Sequence, residues 1–178
     1  MTRSLTRRQF VAGASALALG PSILSARTGR GKLRLATIGS GGMGGADLNA
    51  IASHPDVQVV ALCDVDANTL AASAKKFPQA KQFRDYRKMF AEIADEIDIV
   101  NVGTPDHTHA AAAMSAMLKG KHVYCQKPLT HDVFESRKLA EFARAKKLMT
   151  QMGIQVHSAK EYRLAVRVIQ DGAIGKVK

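Results

Sequence analysis

The apolar run Leu33-Arg34-Leu35-Ala36-Thr37-Ile38 opens directly into Gly39-Ser40-Gly41-Gly42-Met43-Gly44, and the residues after it recur at helical spacing. A strand, a G-x-G-x-x-G loop and a helix in that order restrict the chain to a βα unit whose turn can take a phosphate. Gly39 permits the tight turn, Gly41 lets the backbone approach a pyrophosphate, and Gly44 lets the helix pack closely on the strand. Phosphates then sit at the positive helix N-terminus, which makes Gly39, Gly41, Gly42, Met43 and Gly44 the expected cofactor-holding residues.

A second apolar run ends at Asp64, 20 residues past Gly44, where a carboxylate accepts hydrogen bonds from the adenosine ribose hydroxyls. Asp66 adds a second negative charge, and no Arg or Lys follows until Lys75. A 2′-phosphate would meet repulsion there, so the pattern favours NAD over NADP. S-adenosylmethionine binding uses a similar loop and acid, and nothing downstream supports methyl transfer.

Strand-length apolar runs then alternate with helical patterns. Strands are expected at 33–38, 57–63, 80–83, 97–102, 122–126 and 148–152, with helices at 43–53, 66–76, 86–94, 107–119 and 132–147. Asp85 and Thr130 are the expected caps of two helices. Runs such as Val57 to Leu62 are mostly apolar, as required when helices cover both faces of a sheet. The fold class is α/β, a doubly wound parallel sheet of the Rossmann kind. A last helical pattern runs from Lys160 to Asp171, and Gly172 and Gly175 would stop it.

The formal charge of +11 would ordinarily raise nucleic acid as a partner. However, Arg3, Arg7, Arg8, Arg27, Arg30, Lys32 and Arg34 hold seven of the 26 basic residues in a stretch without an acid. The remainder is only mildly positive, so no nucleic-acid role is expected. Thr6-Arg7-Arg8-Gln9-Phe10, before an apolar run to Leu24, looks like a twin-arginine export signal. That reading places the protein in the periplasm or otherwise outside the cytoplasm, with the membrane met only during export. Cys63 and Cys125 share no ligand spacing and read as buried small residues, so neither a metal nor a disulfide is expected.

Two further segments follow strands, Gly103-Thr104-Pro105-Asp106-His107-Thr108-His109 and Tyr124-Cys125-Gln126-Lys127-Pro128. Together with the glycine loop and Met152-Gly153-Ile154-Gln155-Val156-His157, they resemble the Gfo/Idh/MocA oxidoreductase family across nearly everything from Leu33 onward. The resemblance implies that Lys127, matching the lysine of an E-K-P motif, lies near the nicotinamide and substrate and acts as the catalytic residue. It would orient the reacting hydroxyl or help move its proton, while hydride transfer belongs to the cofactor. Gln126 departs from the pattern by replacing glutamate, and so supplies no countercharge. Thr104, Pro105 and His109 match an S/T-P-N-x-x-H segment, with Asp106 in place of asparagine, and would line the nicotinamide side with Gln126. His107 reads equally as a plain polar residue opening a helix, and His157 either faces the site or sits in a loop.

The implied function is NAD-dependent hydride transfer with a sugar, cyclitol or related polyol, in a protein that is homo-oligomeric when full length. Residues 1–32 would be signal and linker, 33–157 the NAD-binding domain, and 158–178 the start of a second, α+β substrate domain that is cut short. Two other readings stay open. One is an NAD-dependent glycosidase on the same fold, and the other is a non-catalytic nucleotide-binding fragment.

Overall fold

A computed structural model describes residues 31–176. The residues that carry the export-signal reading lie outside the described residues. Six strands, β1 (Leu33–Ile38), β2 (Val57–Cys63), β3 (Lys81–Phe83), β4 (Ile99–Val102), β5 (His122–Gln126) and β6 (Thr150–Gly153), form one parallel sheet in the order β3-β2-β1-β4-β5-β6. The order reverses direction between β1 and β4, which is the topological switch point where open α/β sheets bind ligands.

Helices α1 (Gly42–Ala52), α2 (Ala67–Lys76), α3 (Tyr86–Ile93), α4 (His109–Leu118) and α5 (Val133–Lys146) connect the strands. Successive strand residues point to opposite faces, so each face needs its own apolar cover. On one face Leu35, Val59 and Leu62 of the sheet pack against Leu48 of α1 and Leu70 of α2. On the other, Ala36, Ile38, Val100 and Val102 meet Met89 and Phe90 of α3, the small residues Ala112, Ala113 and Ala116 of α4, and Leu139 of α5. Cys63 and Cys125 are buried in this second layer, and burial pushes both thiols up to about 12. The doubly wound α/β architecture read from the sequence is present.

Differences from the expected boundaries have local causes. Ala94–Glu96 forms a 3₁₀ turn closed by the Ile97 N–H on the Ala94 carbonyl, so β4 begins at Ile99 instead of residue 97. Lys147 takes a left-handed φ of 54° and Leu148 N–H closes back on the Ala143 carbonyl, which delays β6 to Thr150. Asp85 caps α3 as expected, accepting from Arg87 N–H. Thr130 does not cap α5. Asp132 does, accepting from Glu135 N–H, while the Glu135 carboxylate accepts from His131 N–H. A short helix α6 (Gln155–Ser158), absent from the expected elements, precedes α7 (Lys160–Gln170). All of α7 is exposed, including Tyr162, Leu164 and Ile169.

The amino ends of β1 and β4 are joined by Arg34 and Asp98. Arg34 Nε and Nη2 donate to the two Asp98 oxygens at 3.0 and 2.9 Å, and the Arg34 backbone N–H donates at 2.9 Å. The guanidinium hydrogen bonds hold the Asp98 carboxyl down at about 2. A folded-state value below the unfolded one adds stability that is present above the unfolded value and fades as pH falls toward the folded one. Asp98→Asn should therefore lower Tm at neutral pH, and the gap to the unmodified protein should close between pH of about 4 and 2. Thermal unfolding across that range measures it; a gap independent of pH would contradict the assignment.

Candidate functional site

The glycine loop sits where α1 presses on the carboxyl ends of β1 and β4. Gly39 has φ +84°, and a Cβ there would lie 2.6 Å from the Gly103 carbonyl carbon and 2.7 Å from Thr104 N. A Cβ on Gly44 would lie 2.5 Å from Gly39 O and 2.8 Å from Gly103 O, and one on Gly103 would collide with Gly44 Cα. Gly44 thus serves the close helix packing expected of it. Gly41 precedes α1 with no side-chain cap, and the first turn carries no acid, so the α1 N-terminus keeps its amide donors and positive end available to an anion. Gly42, with φ +48° and open space beside it, and Met43, 54% exposed, form the exposed first turn. A Cβ on Gly41 would meet the Thr69 methyl at 2.8 Å, a neighbour from α2.

Asp64 follows β2 and holds the loop from the side. Its Oδ2 accepts from Ser40 N–H at 2.8 Å and from the Ser40 hydroxyl at 3.2 Å, and Oδ1 accepts from Asp66 N–H at 3.0 Å. Carboxylate oxygens accept more than one bond each, so Asp64 can keep Ser40 and still receive a ribose hydroxyl. Asp66 is the cap of α2. Asn68 N–H, then the Thr69 hydroxyl, hold its carboxyl below the usual carboxylate range, with the Arg84 charge adding to them. Arg84 lies too far along the chain to be read from sequence as a neighbour of Asp64. Because Phe83 pairs with Cys63, the next residue after β3 stands level with Asp64, and Arg84 Nη2 donates to the Val65 carbonyl at 2.6 Å. The β2–α2 turn therefore carries two acids and one guanidinium, not acids alone.

Asn101, at the centre of β4, reads in sequence as a polar interruption of an apolar run and no more. Its amide nitrogen donates to Thr37 Oγ1 at 2.9 Å and to the Gly44 carbonyl at 3.1 Å, tying α1 to both central strands. Beyond β4, the buried Thr104 hydroxyl has no protein partner, an unusual state for a buried polar atom and one that a ligand would relieve. Pro105 is exposed at the start of a 3₁₀ turn over Asp106–Thr108, where its carbonyl accepts from the Thr108 N–H and hydroxyl. The free α1 end, the receptive Asp64 and the orphaned Thr104 hydroxyl all fit a dinucleotide lying across β1 and β4.

His109, expected as a cofactor contact, has its side chain turned inward. It is 1% exposed, with Nδ1 2.6 Å from the Pro128 carbonyl and Nε2 2.7 Å from the Thr104 carbonyl. The ring lies between two main-chain carbonyls, the neutral form donating to one of them, so the side chain links the β4–α4 and β5–α5 segments from beneath. Gln126 is turned inward likewise. It is 4% exposed, its Nε2 donates to Asp47 and its Oε1 accepts from Lys127 N–H, so both ends of the amide bond to protein groups. Lys127 and Pro128 are exposed at the carboxyl end of β5, the edge at which open α/β sheets bind ligands. His107 is exposed in the 3₁₀ turn, and His157 meets Tyr162 with ring centroids 4.9 Å apart and the planes tilted by 47°. Among the described residues His131, Asp132 and Glu135 bring three potential metal-ligand atoms within 4.8 Å, but Asp132 and Glu135 are already bonded as the cap of α5.

Residues 33–154 match the Gfo/Idh/MocA family model, described as an oxidoreductase family with an NAD-binding Rossmann fold. The chain is 28% identical over 154 residues to a levoglucosan dehydrogenase of Pseudarthrobacter phenanthrenivorans, covering 82% of this chain and 39% of that protein. It is 31% identical over 156 residues to a glycosyl hydrolase family 109 protein of Streptomyces niveus, covering 82% of this chain and 31% of that protein. The crystal structure of myo-inositol 2-dehydrogenase from Lactobacillus plantarum superposes with a TM-score of 0.74 at 27% identity, over 82% of this chain and 43% of that one. The chain thus spans about a third to two fifths of the length of these relatives.

The contact of Gly44 with two backbone carbonyls leaves no room for a methyl group. Gly44→Ala should lower Tm by roughly 5 °C or more and abolish binding of a reduced nicotinamide dinucleotide, NADH or NADPH, read by its fluorescence. Gly42→Ala, in open space, should cost only about 1–2 kcal/mol from its left-handed backbone. Equal effects at the two positions would show that close approach is not what requires Gly44.

Proposed function

The chain belongs to the Gfo/Idh/MocA family of oxidoreductases, and on that footing we propose that it is the cofactor-binding part of an NAD-dependent dehydrogenase of a sugar, cyclitol or related polyol. The observation that carries the reading is the meeting of three segments at one sheet edge. These are the uncapped α1 end with Asp64 beside it, the unpartnered Thr104 hydroxyl, and the exposed Lys127. The nearby relatives act on an anhydrosugar and a cyclitol, compounds rich in secondary hydroxyls.

Bound NAD would supply the hydride-accepting ring. The amides opening α1 would hold its pyrophosphate, Asp64 its adenosine ribose hydroxyls, and the Thr104 hydroxyl a polar group further along the cleft. Lys127 would hydrogen-bond the substrate hydroxyl, fix its orientation and, as the free amine, accept its proton as the hydride leaves carbon. Asp64 supports NAD over NADP, because a carboxylate already accepting from Ser40 has lone pairs for hydroxyls and none of the donors a phosphate needs. Arg84 reduces the repulsion a 2′-phosphate would meet at Asp66, so the preference rests on Asp64. Export by the twin-arginine route, on the strength of residues 6–10, and a homo-oligomeric whole protein belong to the same proposal. The likeness to a glycosyl hydrolase family 109 protein supports a second reading, in which NAD is reduced and regenerated within a glycosidase cycle.

Lys127→Met should reduce NAD-dependent oxidation of myo-inositol or levoglucosan by the whole protein at least about a thousandfold, with NAD affinity within about threefold. Unchanged turnover would overturn the role of Lys127. Release of p-nitrophenol from an aryl glycoside with no net NADH would decide for the glycosidase. Asp64→Ala should weaken NAD and bring its Kd close to that of NADP, measured by titration calorimetry. Tighter NADP than NAD binding by the unmodified protein would refute the cofactor assignment.

A further inference from the structure

The Gln126-Lys127-Pro128 turn is held by a residue from a different element. Asp47, on α1 three residues past Gly44, is 6% exposed, and its Oδ2 accepts from Gln126 Nε2 at 2.6 Å. Its Oδ1 accepts from Gln155 Nε2 at 3.1 Å. Among the described residues no cation lies within ion-pair distance of it, so the carboxylate is satisfied by two amide donors. A buried carboxylate is strongly unfavourable without such bonds. Tyr124, whose hydroxyl borders the same space near Gly153, is pushed up by burial and then by the Asp47 charge.

The chemistry of the pair is directional. Gln126 Oε1 is committed to the Lys127 backbone N–H at 3.1 Å, which fixes the amide so that its nitrogen faces Asp47. A glutamate at position 126 would put two carboxylates 2.6 Å apart in a buried site. Gln126 and Asp47 are therefore matched: the negative charge absent from position 126 is carried by α1 instead. Gly153 leaves room for the pair, since a Cβ there would fall 2.9 Å from Gln126 Nε2.

We propose that Asp47 is the positioning residue for Lys127 in the oxidation proposed above, acting through Gln126. It ties the catalytic turn to the same helix whose first turn receives the cofactor, so that lysine and nucleotide are aligned by one rigid element. The inference rests on the dehydrogenase reading for its kinetic consequence and on the structure alone for the tie itself.

Three variants test it: Gln126→Glu, Asp47→Ala and the reciprocal double Asp47→Asn with Gln126→Glu. The double keeps every bond. Its exchanged carboxylate accepts from Lys127 N–H and from the amide introduced on α1, and the oxygen of that amide accepts from Gln155. In the whole protein with myo-inositol or levoglucosan, whichever the unmodified protein oxidises, each single should lower kcat about tenfold or more. KM for NAD should stay within about threefold, and the double should recover most of kcat. Without cofactor or substrate, hydrogen exchange of the Lys127 amide should quicken about tenfold in each single and return in the double. Asp47→Ala adds no charge, so it still tests the tie if Gln126→Glu fails to fold. Unchanged kcat and exchange in Asp47→Ala, or a double no better than Gln126→Glu, would overturn the proposal. An active Lys127→Met variant with the exchange pattern intact would instead remove the dehydrogenase reading and leave the tie standing.

Discussion

The architecture depends on one close approach, that of the first turn of α1 to the ends of β1 and β4. Gly39, Gly44 and Gly103 meet there with no side chain between them. The approach lets Asn101 reach the Gly44 carbonyl and Thr37 together, and it places Ser40 where Asp64 can hold it. A methyl group at the contact would push α1 outward and break these polar ties along with the packing. The geometry that opens a helix end to a ligand is thus the same geometry that joins the two halves of the sheet.

Around that contact the ligand-facing segments are fastened from the inside. His109 joins the Thr104 and Pro128 carbonyls, and Asp47 joins Gln126 and Gln155. Both devices are buried polar groups set against partners from other segments, which favours one arrangement over its competitors because a shift strands a donor or a charge. The exposed residues Pro105 and Lys127 are consequently set by side chains buried beneath them.

Much of this was legible in the sequence because it follows from periodicity and from glycine. The limits of β1, β2 and β5 coincide with their apolar runs, and Gly44 behaves as its place in the motif implies. What was not legible depends on contacts between residues distant in the chain. Arg84 reaches Val65 only because β3 lies beside β2. His109 and Gln126 match ligand-lining positions by motif, yet each is turned to a partner that no spacing rule names. Thr130 and Asp132 are both capping residue types two positions apart, and choosing between them requires knowing where Val133 begins the helix. Asp47 had a weak signal, an acid inside an apolar helical pattern next to a glycine loop.

The Arg34–Asp98 pair stands at the opposite end of the sheet from the glycine loop. The six residues of β1 span about 20 Å at roughly 3.3 Å per residue. Physiological salt screens exposed charges beyond about 8 Å. Through solvent that separation is about two screening lengths, which weakens the coupling between the two ends, while the low-polarity core screens little. Acid that titrates Asp98 therefore acts mainly on the fold, at a distance where its effect on the glycine loop is weakened by solvent screening. Selection could tune tolerance to acidity and affinity for the ligand as separate quantities in this one small domain.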